Sequence, residues 1–236
     1  MLVRQVSQTG IVYYTSPLLG RAGVPHAFST RVGGVSIKPF DSLNLGNPGG
    51  IEVQDEWERI HENYRRFHIA IGLRPKQQRC WLHQAHGGDV CFVRRGHEFS
   101  NGARADALVG DDPERALSVR VADCVPILLA SDNGKAVAAV HAGWRGIIAQ
   151  IVPNAVRELR RLNGGTADML AAVGPCIGKG AFEVGPEVLA QFEEHFGPGA
   201  PIQRRLDGKG HVDLRKAVEL QLVRAGISID RIDSGD

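Results

Sequence analysis

No run of apolar residues in this 236-residue chain approaches the ~20 that span a bilayer. The opening Met1-Leu2-Val3-Arg4-Gln5 also lacks the hydrophobic stretch of a secretory signal, so a soluble cytoplasmic protein without a membrane partner is expected. Cysteine is scarce. Cys80, Cys91, Cys124 and Cys176 form no C-x-x-C pair and no small disulfide framework, which suits a reducing compartment. An excess of either charge is missing too: the formal net charge is +2 with the signs interspersed, so no basic stripe follows a phosphate backbone and nucleic acid is not an expected partner. There is no linker, internal repeat or low-complexity tract. One domain over residues 1–236 is the expectation, long enough to bury a full core.

What is present is concentrated around one hairpin. The short apolar arms Val125-Pro126-Ile127-Leu128-Leu129-Ala130 and Ala136-Val137-Ala138-Ala139-Val140 flank Ser131-Asp132-Asn133-Gly134, a strong turn signal. If Asp132-Asn133 is a two-residue loop, Cys124 faces His141 directly, with Cβ atoms ~5 Å apart. Centring the turn on Asn133-Gly134 instead places Cys124 opposite Gly143, with His141 its diagonal neighbour on the same face. Both registers bring a thiol and an imidazole to one site, whereas a three-residue loop breaks the parity unless a bulge restores it. Such a pair is a nucleophile with its base, two ligands of a soft metal, or an inert core pair. The residues alone leave these alternatives open.

Elsewhere the pattern alternates strands and helices. Residues 25–50 are rich in Gly, Ser, Asn and Pro and read as a long functional loop. Trp57, Ile60, Tyr64, Phe67 and Ile71 repeat at helical spacing from about Asp55 to Ile71, with Gly72 as C-terminal cap and with His61 and His68 on an ordinary helix surface. Cys80 to Val93 reads as strand, tight loop, strand, with His83 and His86 beside Gly87-Gly88. A helix from Ile147 to Leu162 follows the hairpin, and Pro153 predicts a kink in it. A strand at Met169–Val173, a helix from Pro186 to Phe196, and a last helix from the N-cap Asp213 to Gly226 complete the pattern. Without the cadence of a βαβ array, the expected fold class is α+β, a mixed β-sheet with flanking helices.

Several motifs in one order resemble the laccase-domain family. They are Phe28-Ser29-Thr30-Arg31, Gly33-Gly34-Val35-Ser36, Ser42-Leu43-Asn44-Leu45-Gly46, His86-Gly87 after Gln84, Ala122-Asp123-Cys124-Val125-Pro126, His141-Ala142-Gly143-Trp144-Arg145-Gly146, and Gly174-Pro175-Cys176-Ile177-Gly178 with Phe182-Glu183-Val184-Gly185. The resemblance runs from about residue 25 to about 230. It implies a layered α+β fold distantly similar to certain cysteine hydrolases. It also implies an enzyme first described as a polyphenol oxidase and later as a zinc-dependent purine nucleoside phosphorylase, which also deaminates adenosine and cleaves methylthioadenosine. By that resemblance His86, Cys124 and His141 are the metal ligands. Members of the family continue with a Cys-Thr and an Arg-rich terminal segment, whereas this sequence stops at Ser234-Gly235-Asp236, so nothing such a tail contributes is read here.

A His₂Cys set leaves a fourth tetrahedral position free, as catalytic zinc sites do. Copper is the alternative ion. Against it, electron-transfer copper adds an axial Met and this chain has only Met1 and Met169, while multicopper oxidation needs more convergent imidazoles than nine scattered histidines without a His-x-His. The usual zinc deaminase pattern, H-x-E with P-C-x-x-C, is also absent. The expected small-molecule partners are a purine nucleoside and phosphate. Arg145 and Arg31 are the candidates for phosphate or ribose. Asp106, Asp123 and Asn44 are candidates to face the leaving purine, with Asp123 competing as a partner to a ligand imidazole. Cys124, His141, Arg145 and Asp123 form the catalytic set. His83 is read as a spectator, and Cys80, Cys91 and Cys176 as structural. A rival enzyme reading keeps Cys124 as nucleophile and His141 as base of a cysteine hydrolase or amidase, such as one that edits cell-wall peptides. A non-enzymatic rival is a metal-binding or redox partner protein.

Overall fold

The computed structural model describes residues 1–235 apart from 48, 51, 75–76 and 166–167. Its centre is a six-stranded sheet with spatial order Ile232–Ser234, Met169–Val173, Val125–Ser131, Val137–Ala142, Ala107–Gly110, Val90–Val93. The two outermost pairings are parallel and the three inner ones antiparallel, so the sheet is mixed, as the irregular strand–helix rhythm requires. Helices are α1 (Pro17–Arg21), α2 (Trp57–Ala70), α3 (Trp144–Ile148), α4 (Ile151–Leu162), α5 (Pro186–Phe196) and α6 (Leu214–Arg224). No helix among the described residues is long and apolar enough to cross a membrane.

Both faces of the central strands are apolar because both are covered. On one face Val125, Ile127, Leu129, Ala138 and Val140 meet Ile151, Val152, Ala155, Val156 and Leu159 of α4 together with Ala217, Val218 and Leu222 of α6. The α4 residues recur at three- and four-residue steps, which lines them on one side, and each buried aliphatic side chain contributes roughly 1.5–3 kcal/mol. On the other face Ala130, Leu170 and Ala172 meet Leu19 of α1 and Phe28.

Two expectations change at this level. The helix after the hairpin is not one kinked helix: α3 and α4 are separated at Gln150, whose φ of 65° is left-handed, and Pro153 lies inside the first turn of α4. A proline there is tolerated because N–H groups of the first turn have no intrahelical acceptor, so Pro153 starts a helix rather than bending one. The strands around the His83–His86 loop also belong to different sheets. Gln78–Cys80 pairs in parallel with Arg115–Leu117, and Val90–Val93 joins the central sheet.

The long loop is stapled to α2, although residue 48, within the 25–50 stretch, lies outside the described residues. Buried Asn63 donates to Ser36 Oγ and the Asn44 carbonyl, both at 2.8 Å, and accepts from Val35 N at 2.8 Å.

Candidate metal centre

The hairpin settles the thiol and the imidazole. Pro126 pairs with His141 and Val125 with Ala142, so Cys124, one residue before its strand, stands opposite Gly143 on the face that carries His141. This is the register centred on Asn133-Gly134, closed by Ser131 N to Ala136 O at 2.9 Å. The direct Cys124–His141 register fails because the turn needs a left-handed residue, and Gly134, at φ 67°, is the one that supplies it.

His86 reaches the same point from a separate loop. Its own φ of 57° is left-handed, which costs a non-glycine residue about 1 kcal/mol or more. The Asp106 carboxylate offsets that cost by accepting three consecutive amides: His86 N at 2.9 Å on Oδ1, and Gly87 N at 2.7 Å and Ala85 N at 3.2 Å on Oδ2. Charge-assisted bonds of this kind are about twice as strong as neutral ones. Oδ1 also lies 2.8 Å from His141 Nδ1, and the Asp106 carbonyl accepts His141 N at 2.8 Å. Asp106 is fully buried. It therefore holds the two histidines and cannot face a purine, and the imidazole partner is Asp106 rather than Asp123.

The outcome is a compact donor set. One ligand atom from each of His86, Cys124 and His141 lies within 4.8 Å of the others, with Cys124 Sγ 3.9 Å from His86 Nε2 and the two imidazoles edge-to-face at 4.8 Å. Zinc bonds of 2.0–2.3 Å put tetrahedral donors ~3.5 Å apart, so these atoms need close by only about an ångström. Gly143 makes the approach possible: a Cβ there would sit 2.8 Å from His86 Cδ2 and 2.9 Å from Cys124 Sγ. Among the described residues this is the one group of three or more such side chains that could hold a metal ion.

The electrostatics match a ligand set. Burial holds the His86 pKa below its ordinary value, with the His141 charge adding to that, so His86 is neutral and offers a lone pair. Burial opposes charge on His141, yet the Asp106 hydrogen bond and Cys124 outweigh it and push its pKa up to about 9. Asp106 is lowered: burial would raise it, but His141 and the Gly87 and His86 amides prevail. Asp106 thus occupies Nδ1 of His141 and leaves Nε2 for the ion, whose binding must release a proton.

His86 is exposed and Cys124 half-buried, so one side of the set is open, whereas His141 is 3% exposed. Arg145 is exposed in α3 over the Trp144 ring at 4.4 Å, and its charge is among those acting on His86. Asp123 is exposed beside Cys124, and its carbonyl takes Ile177 N at 2.9 Å, tying the 174–178 turn to the ligand strand. Arg31 and Asn44 are engaged within their own loop: Arg31 Nε donates to the Asp41 carbonyl at 2.8 Å and Asn44 Nδ2 to Asp55 at 3.1 Å. No described contact joins either to the three donors. His83 is exposed and outside the set. Cys80 is buried, Cys91 is half-buried, and Cys176 is half-buried against the main core.

Comparison with known proteins identifies the family. The model of a family described as "Multi-copper polyphenol oxidoreductase laccase" matches residues 25–236. The chain is 41% identical over 214 residues to "Purine nucleoside phosphorylase YfiH" of Escherichia coli (strain K12), covering 91% of this chain and 83% of that protein. It is 36% identical over 204 residues to a "Purine nucleoside phosphorylase" of Deinococcus radiodurans, covering 86% and 76%. In three dimensions it is similar to YlmD from Geobacillus stearothermophilus, with a TM-score of 0.84 at 28% identity over 100% of this chain and 88% of that one. With a matched family model, relatives above 30% identity and a three-donor centre built on the matched motifs, this chain belongs to the laccase-domain family of enzymes.

Proposed function

We propose that this chain is a zinc-dependent purine nucleoside phosphorylase for adenosine, inosine, guanosine and methylthioadenosine, with adenosine deamination as a second activity. The observation that carries the reading is an open His86–Cys124–His141 set, anchored by a buried carboxylate, in a chain 41% identical to a protein named for that reaction. His86, Cys124 and His141 would hold the ion, which supplies Lewis-acid polarisation of a substrate oxygen when bound.

In phosphorolysis a phosphate oxygen bonds to C1′ of the ribose as the C1′–N9 bond breaks and the departing purine takes up a proton. Arg145, exposed beside His86, supplies a cation for the phosphate. Asp123, exposed next to Cys124, is the polar group for the purine ring, and exposed Arg31 is a further cation for phosphate or ribose, whereas the Asn44 amide is spent on Asp55 and Gly46 within its loop. Asp106 orients His141 and touches no substrate. Copper is disfavoured by the absence of a methionine ligand: Met169 is buried within its strand, and the three-donor set stands alone among the described residues.

A cysteine-hydrolase reading has one observation of its own. Cys124, His141 and Asp106 are ordered as nucleophile, base and orienting carboxylate. The two readings compete, because a thiolate held by zinc is poorly available for acyl attack.

The test is inosine turnover by metal-replete protein with and without phosphate. Hypoxanthine released only with phosphate is the expected result. Release without phosphate would replace phosphorolysis by hydrolysis, and no release in either case discards the proposal.

A further inference from the structure

We propose that Gln84 is a positioning residue that sets the distance between Cys124 and His86 and thereby the affinity of the metal centre; this rests on the metal-site reading above. The two ligand-bearing segments leave the protein body together. Gln78–Cys80 and Arg115–Leu117 run in parallel, and their backbone ladder ends where Ser118 N donates to the Cys80 carbonyl at 2.9 Å. Beyond that point one chain makes the loop to His86 and the other runs through residues 119–123 to Cys124. Nothing in backbone pairing holds these tips to each other: His83 pairs with Arg104 instead.

Gln84 supplies the missing rung. Its Nε2 donates to the Arg120 carbonyl at 2.7 Å, and its Oε1 accepts Arg120 N at 2.8 Å. A carboxamide has the same donor and acceptor as a peptide unit, so this side chain continues the ladder across a gap that the backbone cannot close. The bond lies two residues before His86 and four before Cys124, whose donor atoms stand 3.9 Å apart. Asp106 fixes His86 to His141, and its side-chain hydrogen bonds go to residues 85–87 and 141 rather than to the 118–124 segment. Gln84 therefore adds a direct tie between the cysteine segment and the histidine loop, beside the longer route through the hairpin, His141 and Asp106.

The side chain fits no alternative role at the centre. Both of its polar atoms are committed to Arg120, so it neither ligates nor meets substrate. Its effect must appear in metal affinity rather than in the chemical step.

The experiment measures zinc affinity of the full chain by chelator competition, with cobalt(II) absorption as a report on the thiolate bond, for the wild type, Gln84→Ala, Gln84→Glu and Gln78→Ala. Losing an outer partner of a metal site typically weakens binding 10–100-fold, and Gln84→Ala is expected near the lower end, about tenfold. Gln84→Glu keeps the acceptor for Arg120 N but turns a carboxylate on the Arg120 carbonyl, so it should fall between the wild type and Gln84→Ala. Gln78→Ala removes a contact to Arg115 at the far end of the same strand pair and should bind zinc as the wild type does. Unchanged zinc affinity in both Gln84 variants overturns the proposal, as does an equal loss in Gln78→Ala, which would mean general loosening. If the wild type binds no zinc, the metal-site reading fails first and takes this inference with it.

Discussion

The Asp106 carboxylate and the His141 ring share a 2.8 Å contact in which neither partner is accessible to solvent beyond 3%. Because the same carboxylate closes the turn that carries His86, one buried charge aligns two ligands that are 55 positions apart in sequence. A carboxylate behind an imidazole fixes its tautomer and raises its basicity as a ligand.

Replacing that charge tests the arrangement. Asp106→Asn keeps the shape but weakens the bonds to His141 and residues 85–87, and zinc affinity should fall 10–100-fold in a competition titration. Asp106→Ala leaves the buried His141 Nδ1 and three part-buried amides without their acceptor and should cost about 2 kcal/mol in urea unfolding of the metal-free protein. Wild-type affinity in Asp106→Asn would show that the contact does not serve the metal.

Metal content separates the enzyme readings. Purified protein should carry about one zinc per chain, lost on Cys124→Ala, as a single His₂Cys site demands. Several coppers per chain, or rapid iodoacetamide labelling of Cys124 in untreated protein, would point instead to oxidation or to cysteine hydrolysis.

Gly143 offers a change aimed at geometry alone. In Gly143→Ala the new methyl presses on the ends of two side chains, His86 and Cys124, rather than on backbone. Those side chains can swing away, so thermal stability of the metal-free protein should hold while zinc binding drops at least about tenfold, in line with other disturbed ligand shells. Retained zinc in this variant would mean that the ligands do not close on the space above Gly143.

A pH effect arises far from the centre. His26 Nδ1 bonds the Val24 carbonyl at 2.7 Å, and its Nε2 accepts Ser16 N at 2.7 Å, an arrangement that only the neutral ring permits. Burial is the largest influence and lowers its pKa below 6.5. The unfolded chain therefore takes up this proton more readily. Stability from His26 is complete above pH 6.5 and declines as pH falls through the lowered folded value. Urea midpoints should drop between about pH 7.5 and about pH 5.5, and His26→Gln should flatten that drop. Equal drops in both proteins would remove His26 as a cause.

Much of the centre was legible because hairpin chemistry is local. The Asn133-Gly134 turn and the two apolar arms put Cys124 and His141 on one face, and parity alone made that independent of which two-residue register was chosen. His86 was reached only through resemblance to a family, since nothing in its local spacing marks a ligand. The roles of Asp106 and Gln84 are invisible in sequence for a related reason. A buried carboxylate that serves a turn and an imidazole looks like any other aspartate in sequence, and a glutamine that mimics a peptide unit is visible only when its partner, Arg120, lies beside it.

The chain alone determined its alternating apolar arms, the helix starts at Pro186 and at the cap Asp213, and the face shared by a thiol and an imidazole, because turns, helix starts and pleat depend on neighbours a few residues apart. Tertiary packing decided the rest. It split α3 from α4 at Gln150, sent the strands flanking His86 into different sheets, and buried Asp106 where it serves His86 and His141 together. Those outcomes depend on which distant surfaces exclude water together and which buried polar groups must then find partners, and no short stretch of sequence contains that information.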